Sequence, residues 1–277
     1  MFLRRENQEC PPSWEGVSPT AGKSVPRCRE RASCPMKSLP HFEQSPLLRS
    51  VPGVYHAFLG VDPVEGRGRR DRLREVFSIA AESVGTLKQV HSASVLSFEP
   101  GDGDVPGGWK REGDALWTVS PGTGVGVHTA DCVPILLAHR EVRVAAAVHA
   151  GWRGLAAGIV EGTVRALAGR FGDAAVEGIV AVAGPCARGC CYEVGADTAE
   201  ALHGLPGGTS ILRKGKTSGK WTADLQAITL AALRAAGIPA GQTEAVGPCT
   251  ICSPRFHSFR REKSTTARQL SFLYIRD

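Results

Sequence analysis

No apolar run in this chain of 277 residues approaches the roughly 20 residues that a membrane-crossing helix needs. The longest candidate, Val142 to Val160, is interrupted by Arg143, His149 and Arg153, so no membrane span is expected. Aromatic residues are scarce as well, at 6%. The core therefore has to be built from Val, Leu, Ile and Ala, and the 33 glycines supply tight turns, a balance that favours a layered α/β fold over a helical bundle. The first residues, Met-Phe-Leu-Arg-Arg-Glu-Asn-Gln, put charge where a secretory leader has its apolar stretch, and the expected address is cytoplasmic. The nine cysteines are odd in number, and Cys190 and Cys191 are adjacent, so they read as reduced thiols rather than a disulfide framework. The net charge of +6 is mild and suits an anionic small molecule. Basic segments at 67 to 74 and 213 to 220 lack interleaved aromatics, which argues against a nucleic-acid partner.

Residues 1 to 35 stand apart. They carry Cys10, Cys28, Cys34 and a Pro-Pro pair at 11 and 12 without apolar periodicity, and Met36 follows them. This segment is expected to be a disordered tail or an over-extended start, with a single domain over 36 to 277. Within the domain, Leu73, Val76, Phe77, Ile79, Ala80 and Val84 predict a helix over 71 to 85. A strand is expected within 86 to 97, a Gly/Pro/Asp loop over 99 to 113, and strands at 125 to 128, 133 to 138 and 142 to 149, the last two as a hairpin. A helix over 155 to 170 follows, then a strand at 176 to 183 and a helix from 197 to 203. Next come a basic loop over 213 to 220 and a helix over 225 to 236 capped by Asp224. The fold class expected is a layered α/β sandwich with mixed sheets.

Three segments place unusual polar groups at the ends of apolar runs: Lys88-Gln89-Val90-His91, Thr129-Ala130-Asp131-Cys132, and His149-Ala150-Gly151-Trp152-Arg153-Gly154. Two histidines and a cysteine from separate segments are a reasonable set of ligands for a zinc ion that keeps its fourth position open. The same Cys132 and His149 are also the minimal equipment of a metal-free cysteine hydrolase or deamidase. A closed structural zinc site from Cys249-x-x-Cys252 with Cys186 and Cys190 is conceivable, but irregular spacing and flanking Gly-Pro turns read more readily as packing.

The segments KQVH (88 to 91), GDALWT (113 to 118), TADCVPILL (129 to 137), VHAGWRG (148 to 154) and GPCARGCCYEVG (184 to 195) resemble the signature of the laccase-domain family. The stretches DLQAITLAALRAAGI (224 to 238) and CTICSPRFHSFRREKSTTARQ (249 to 269) continue the match in order, so the resemblance runs from about Val54 to the C-terminus. That family carries the name of multicopper polyphenol oxidases, while its members are regarded as purine nucleoside phosphorylases with adenosine deaminase side activity.

The resemblance implies zinc held by His91, Cys132 and His149, which are also the catalytic positions. It implies phosphorolysis of adenosine, inosine, guanosine and 5'-methylthioadenosine, together with deamination of adenosine. Arg153, Arg260 and Arg261 are the candidates for gripping substrate phosphate, because a guanidinium binds phosphate oxygens as a fork. Asp114 and Asp131 are candidates for orienting a histidine or carrying a proton. Copper-dependent phenol oxidation is the weaker reading, since multicopper sites need many histidines and the chain has eight. Two departures from the family pattern bear on substrate range. His56-Ala57-Phe58-Leu59 runs directly into Gly60-Val61-Asp62-Pro63, and Thr266-Ala267-Arg268-Gln269 has Ala where a glycine is usual.

Overall fold

In the computed structural model, residues 41–62, 69–99, 111–263 and 266–277 are described. The expectations for residues 1 to 35, and for most of the loop at 99 to 113, lie outside that set. From the N-terminal side run β1 (Phe42–Glu43), β2 (Val54–Leu59), β3 (Val84–Gly85), β4 (Val95–Ser97), β5 (Ala115–Thr118), β6 (Thr123–Thr129), β7 (Val133–His139) and β8 (Ala145–Ala150). They are followed by β9 (Ile179–Ala183), β10 (Glu193–Val194), β11 (Arg213–Lys214), β12 (Trp221–Thr222), β13 (Thr243–Ala245) and β14 (Gln269–Ile275). The α-helices are α1 (Pro46–Arg49), α2 (Arg69–Phe77), α3 (Trp152–Ala156), α4 (Ile159–Phe171), α5 (Ala196–His203), α6 (Gly208–Ile211), α7 (Leu225–Ala235) and α8 (Phe259–Glu262).

Two mixed sheets carry the architecture. One has strand order β1-β2-β14-β6-β3 and the other β13-β9-β7-β8-β5-β4, and in each an edge strand runs parallel to its neighbour while the central pairs are antiparallel. A small antiparallel sheet, β10-β12-β11, completes the set.

Side-chain alternation explains how the layers stack. Along β7, Val133, Ile135 and Leu137 join a cluster with Leu155, Ile159, Val164 and Leu167 of the helices. The intervening Leu136 and Ala138 join Phe58, Val125, Val127 and Leu273 of the other sheet. Both faces of β7 are therefore covered, which is why its sequence is an unbroken apolar run instead of an alternating one. A third cluster, with Leu73 of α2 against Ala57, Leu270 and Phe272, covers the outer face of the first sheet. The order of layers is helix, sheet, sheet, helices.

Several boundaries differ from expectation, each for a local reason. The helix expected over 71 to 85 stops at Phe77, because Ser78 takes a left-handed conformation (φ 55°) and its N–H caps the Arg74 carbonyl. Val84–Gly85, read as the end of that helix, pairs instead as β3, and the short strand expected within 86 to 97 is β4 (Val95–Ser97), the loop before it making contacts through the side chains of Gln89 and Ser92. The helix expected over 155 to 170 is two helices, starts at Trp152, and breaks at Gly158, whose φ of 81° a glycine accepts without penalty. The segment 176 to 183 opens as a 3₁₀ turn (Asp173–Gly178) before β9 begins. The basic segment at 213 to 220 is not a free loop but a hairpin joining β11 to β12. The hairpin β7–β8 forms as expected, although its second strand begins at Ala145 and not at 142, and the Asp224 carboxylate accepts the Ala227 N–H as the expected cap.

His56 on β2 is 1% exposed and accepts the Ser45 N–H at its Nε2 (2.8 Å), which requires the neutral ring. Burial, reinforced by the charge of Arg49, pushes its pKa down to about 4. The neutral ring is the form favoured by the fold, so its contribution is full above the unfolded value near 6.5 and is lost as pH falls towards 4. Replacing His56 by Phe should accordingly flatten the acid side of the stability profile. The difference in unfolding free energy between wild type and variant, measured by urea titration, should shrink by about 3 kcal/mol from pH 7 to pH 4. A constant difference would place the acid sensitivity elsewhere.

Candidate functional site

Asp114 precedes β5 and is completely buried. A buried carboxylate has to be paired on all sides, and this one is: it accepts the backbone N–H of His91 (3.0 Å) and of Ser92 (2.6 Å), the Ser92 hydroxyl (2.8 Å), and Nδ1 of His149 (2.7 Å). Burial alone would raise its pKa, but the His149 and Ser92 hydrogen bonds outweigh that effect and hold it at about 2. Asp114 is thus a carboxylate at any neutral pH and can only accept. The Nδ1 of His149 must donate to it, leaving Nε2 for the site.

The donors converge from three directions. His149 lies at the end of β8, with its N–H bonded to the Asp114 carbonyl at 2.7 Å. Cys132 ends the short turn that carries the chain from β6 in one sheet to β7 in the other. His91 sits on the loop before β4 with φ 62°. The His91 and His149 rings meet edge to face with centroids 4.8 Å apart, and Cys132 Sγ is 3.9 Å from His91 Nε2. One ligand atom from each of the three residues lies within 4.8 Å of the others.

Burial opposes ionisation of the Cys132 thiol, but the charge and hydrogen bonds of His149 and His91 outweigh it and draw its pKa down. Burial likewise opposes the charge on His149, and Cys132 with Asp114 overcomes it and draws that pKa up. The pair thus favours thiolate and imidazolium. A cation that displaces the proton from Nε2 meets a ready thiolate and an imidazole already oriented by Asp114.

The neighbouring backbone is shaped to leave this space open. A Cβ at Gly151 would stand 3.0 Å from Cys132 Sγ and 3.1 Å from His91 Cδ2, so a side chain there would intrude among the donors. His91 and Asp131 (φ 91°) are both held in left-handed conformations, at a cost of about 1–3 kcal/mol each. Such strain persists only where several contacts impose it. For Asp131 these are the Thr250 hydroxyl and the Arg260 N–H on its carboxylate, both at 2.7 Å, and the Ala187 N–H on its carbonyl at 2.8 Å.

The triad opens into a cavity of about 470 Å³. Beside the triad it is lined by Lys88, Gln89, His128, Ala130, Asp131, Tyr192, Phe259, Arg260 and Arg268. Gln89 is clipped to β6 by a reciprocal pair of bonds, its amide donating to the His128 carbonyl and accepting the His128 N–H, both at 2.7 Å. Lys88 pairs with Glu112 across an exposed 2.8 Å contact. The Arg260 guanidinium lies 5.0 Å from the Tyr192 ring centre and donates to the Glu193 carbonyl (2.7 Å), and the Arg268 guanidinium lies 5.7 Å from the Phe259 ring centre.

The residues expected from sequence divide here. His91, Cys132, His149, Asp131 and Arg260 line the cavity, and Asp114 is bonded to His149 from the interior. Asp114 orients His149, whereas the Asp131 carboxylate accepts the Thr250 hydroxyl and the Arg260 N–H and so holds the start of α8. Arg153 is exposed beside the cavity, stacked 4.4 Å from the ring centre of Trp152, and its charge acts on the Tyr192 phenol. Arg261 points away from the cavity. Its guanidinium donates to the carbonyls of Thr250 (2.6 Å), Ser253 (3.0 Å) and Phe256 (2.7 Å), so it braces a turn. Tyr192, Phe259 and Arg268 are pocket residues that the sequence did not single out, although all three lie in matched segments; Phe259, directly before Arg260, is the one of them with a local signal.

The family model described as Multi-copper polyphenol oxidoreductase laccase matches residues 59–276. The purine nucleoside phosphorylase of Deinococcus radiodurans is 35% identical over 207 residues, covering 75% of this chain and 76% of the relative. Purine nucleoside phosphorylase YfiH of Escherichia coli is 35% identical over 222 residues, covering 79% and 84%. The crystal structure of YlmD from Geobacillus stearothermophilus superposes with a TM-score of 0.74 at 26% identity, over 86% of this chain and 100% of the other.

Because Asp114 holds both histidine segments, Asp114→Asn should loosen the triad without removing a donor. Metal retention measured by chelator competition should fall by about 10- to 100-fold. Unchanged retention would show that Asp114 serves folding alone.

Proposed function

The chain belongs to the Multi-copper polyphenol oxidoreductase laccase family, and from that premise we propose that it is a zinc-dependent purine nucleoside phosphorylase. Its substrates are adenosine, inosine, guanosine and 5'-methylthioadenosine, each with phosphate, and it also deaminates adenosine. One arrangement carries the most weight: a His/Cys/His triad oriented by a buried carboxylate, opening into a cavity that offers both guanidinium groups and aromatic rings.

Two imidazole nitrogens and a thiolate form a donor set that zinc takes readily, and three protein donors leave room for an exchangeable fourth ligand. When bound, the ion supplies a fixed positive charge and Lewis acidity beside the substrate, which suits hydrolytic loss of the purine amino group. In phosphorolysis a phosphate oxygen bonds to the anomeric carbon as the glycosidic bond breaks, and the purine leaves with that electron pair and takes up a proton. Arg260 and Arg268 hold the phosphate, with Arg153 adding positive charge at the rim. Tyr192 and Phe259 offer apolar faces to sugar and base. Asp114 keeps the Nδ1 proton of His149 in place throughout. The catalytic domain is assigned to residues 36 to 277, and reduced thiols at the triad suit a cytoplasmic setting. Copper-based phenol oxidation fits less well. Among the described residues, the other group with metal-binding geometry contains only cysteines, so the histidine-rich multinuclear arrangement is not formed there.

The chain of contacts Asp114–His149–Cys132 favours one second reading, a metal-free hydrolase with Cys132 as nucleophile and His149 as base. Chelation separates the two. Under the zinc reading, each of His91→Ala, Cys132→Ala and His149→Ala loses about one equivalent of metal together with adenosine and inosine turnover, and chelation of the wild type abolishes both reactions. Full activity in a metal-free wild type would sink it.

Phosphate capture has its own test. Arg260→Gln should raise the apparent KM for phosphate by about tenfold or more, the worth of a charge-assisted hydrogen bond, while adenosine deamination changes much less. An equal fall in both reactions would make Arg260 a structural residue.

A further inference from the structure

A second set of donors converges outside the cavity. Cys190 and Cys191, on the turn after Arg188, meet Cys249 and Cys252, on the turn that follows β13, and all four sulfurs lie within 4.8 Å of one another. We propose that Cys190, Cys191, Cys249 and Cys252 form a structural zinc site, distinct from the His/Cys/His triad and with no open position.

The four sulfurs are gathered closely enough for one ion to reach them all. With metal–sulfur bonds of about 2.3 Å, a tetrahedral ion holds its sulfurs about 3.8 Å apart. Here the Cys190 and Cys252 sulfurs are 3.4 Å apart, close to that spacing, whereas those of Cys191 and Cys252 are 2.8 Å apart and have to open by about 1 Å to admit an ion; all four lie within 4.8 Å of one another. Backbone geometry points the same way. Cys249-x-x-Cys252 is the short spacing that lets one turn present two thiolates to one metal. The N–H groups of Cys252, Arg188 and Ile251 are directed at the Cys249 sulfur, which is how a turn spreads the negative charge that a closed tetrathiolate site accumulates. A parallel bridge between Cys186 and Cys249, with the Thr250 N–H on the Cys186 carbonyl at 2.9 Å, holds the two turns side by side before any ion binds. A disulfide would use two of the four sulfurs and leave the other two crowded beside it. One ion satisfies all four, each thiol that binds giving its proton to solvent. Cys186, named with this set on sequence grounds, is replaced in it by Cys191; its own thiol is buried and burial pushes its pKa well up, as for an inert core cysteine.

The ion would act as a clamp on the pocket. Tyr192 directly follows Cys191, and Thr250, which holds the Asp131 carboxylate, directly follows Cys249. Locking the two turns together therefore fixes two parts of the cavity wall at once.

The test uses the full chain loaded with zinc, desalted and assayed for metal by elemental analysis. Cys252→Ser and, separately, Cys190→Ser should each contain about one zinc fewer than the wild type. Cys132→Ala, in which the triad is broken, should still bind about one zinc, and its cobalt-loaded form should show the intense absorption of several thiolates on one ion. That absorption should vanish when Cys252→Ser is added. Chelation should also lower the melting temperature of Cys132→Ala. Both substituted positions are exposed, and if one variant fails to fold the other carries the comparison. The proposal is overturned if Cys132→Ala binds neither metal, if neither serine variant loses zinc, or if mass analysis finds Cys191 and Cys252 joined as a disulfide. Since the comparison is a difference between parent and serine variant, it holds whether or not the triad itself binds zinc.

Discussion

A buried carboxylate with every lone pair used organises this molecule. Asp114 has no exposed surface, and moving an ionised group out of water costs several kcal/mol unless it is fully paired. Its partners come from two places: the loop carrying His91 and Ser92, through their N–H groups and the Ser92 hydroxyl, and the ring of His149 at the end of β8. Satisfying one charge thus orients the His149 ring and anchors the backbone at His91, two histidines from distant segments. The same bonds that keep the charge tolerable in the interior position the triad.

Around that anchor the fold places two left-handed residues and a close-packed glycine. The chain crosses from one sheet to the other between Thr129 and Val133, and that crossing needs a left-handed Asp131 beside Cys132. His91 is strained in the same sense. Gly151, at the start of α3, is needed for room among the donors. Rigid strands on both sides hold these conformations in place, so the cost in stability is exchanged for a site whose donors do not have to be ordered when a ligand arrives.

The two clusters of metal-binding geometry are opposites in design. In the triad, charge is balanced by an imidazole and a carboxylate behind it, and the front faces a cavity. In the four-cysteine group no histidine or carboxylate belongs to the set, and backbone N–H groups do the balancing at Cys249. The first arrangement leaves chemistry available to a small molecule. The second joins two turns and leaves nothing over, which is what distinguishes a catalytic from a structural site.

Much of the fold was legible because its causes are local. The unbroken apolar run of β7, the hairpin to β8 and the cap at Asp224 follow from burial on both faces, a charged break at Arg140-Glu141 and a short acceptor side chain, all visible in the order of residues. The triad was legible too, since His91, Cys132 and His149 stand at the ends of apolar runs and within matched segments. Other features depend on what lies across space. Ser78 and Gly158 end helices through backbone conformation that apolar periodicity does not encode. Arg260 and Arg261 are neighbours of one residue type, yet the first faces the cavity and the second spends its guanidinium on the carbonyls of a turn. Likewise Asp114 and Asp131 look equivalent as carboxylates beside a motif, and only the packing of β5 against β8 puts one of them on His149. Sequence by itself determined which residues have the chemistry to act and which segments form strands and helices. Tertiary structure decided which of those residues share a space, because direction and distance between side chains arise only when separate elements close around the same buried charge.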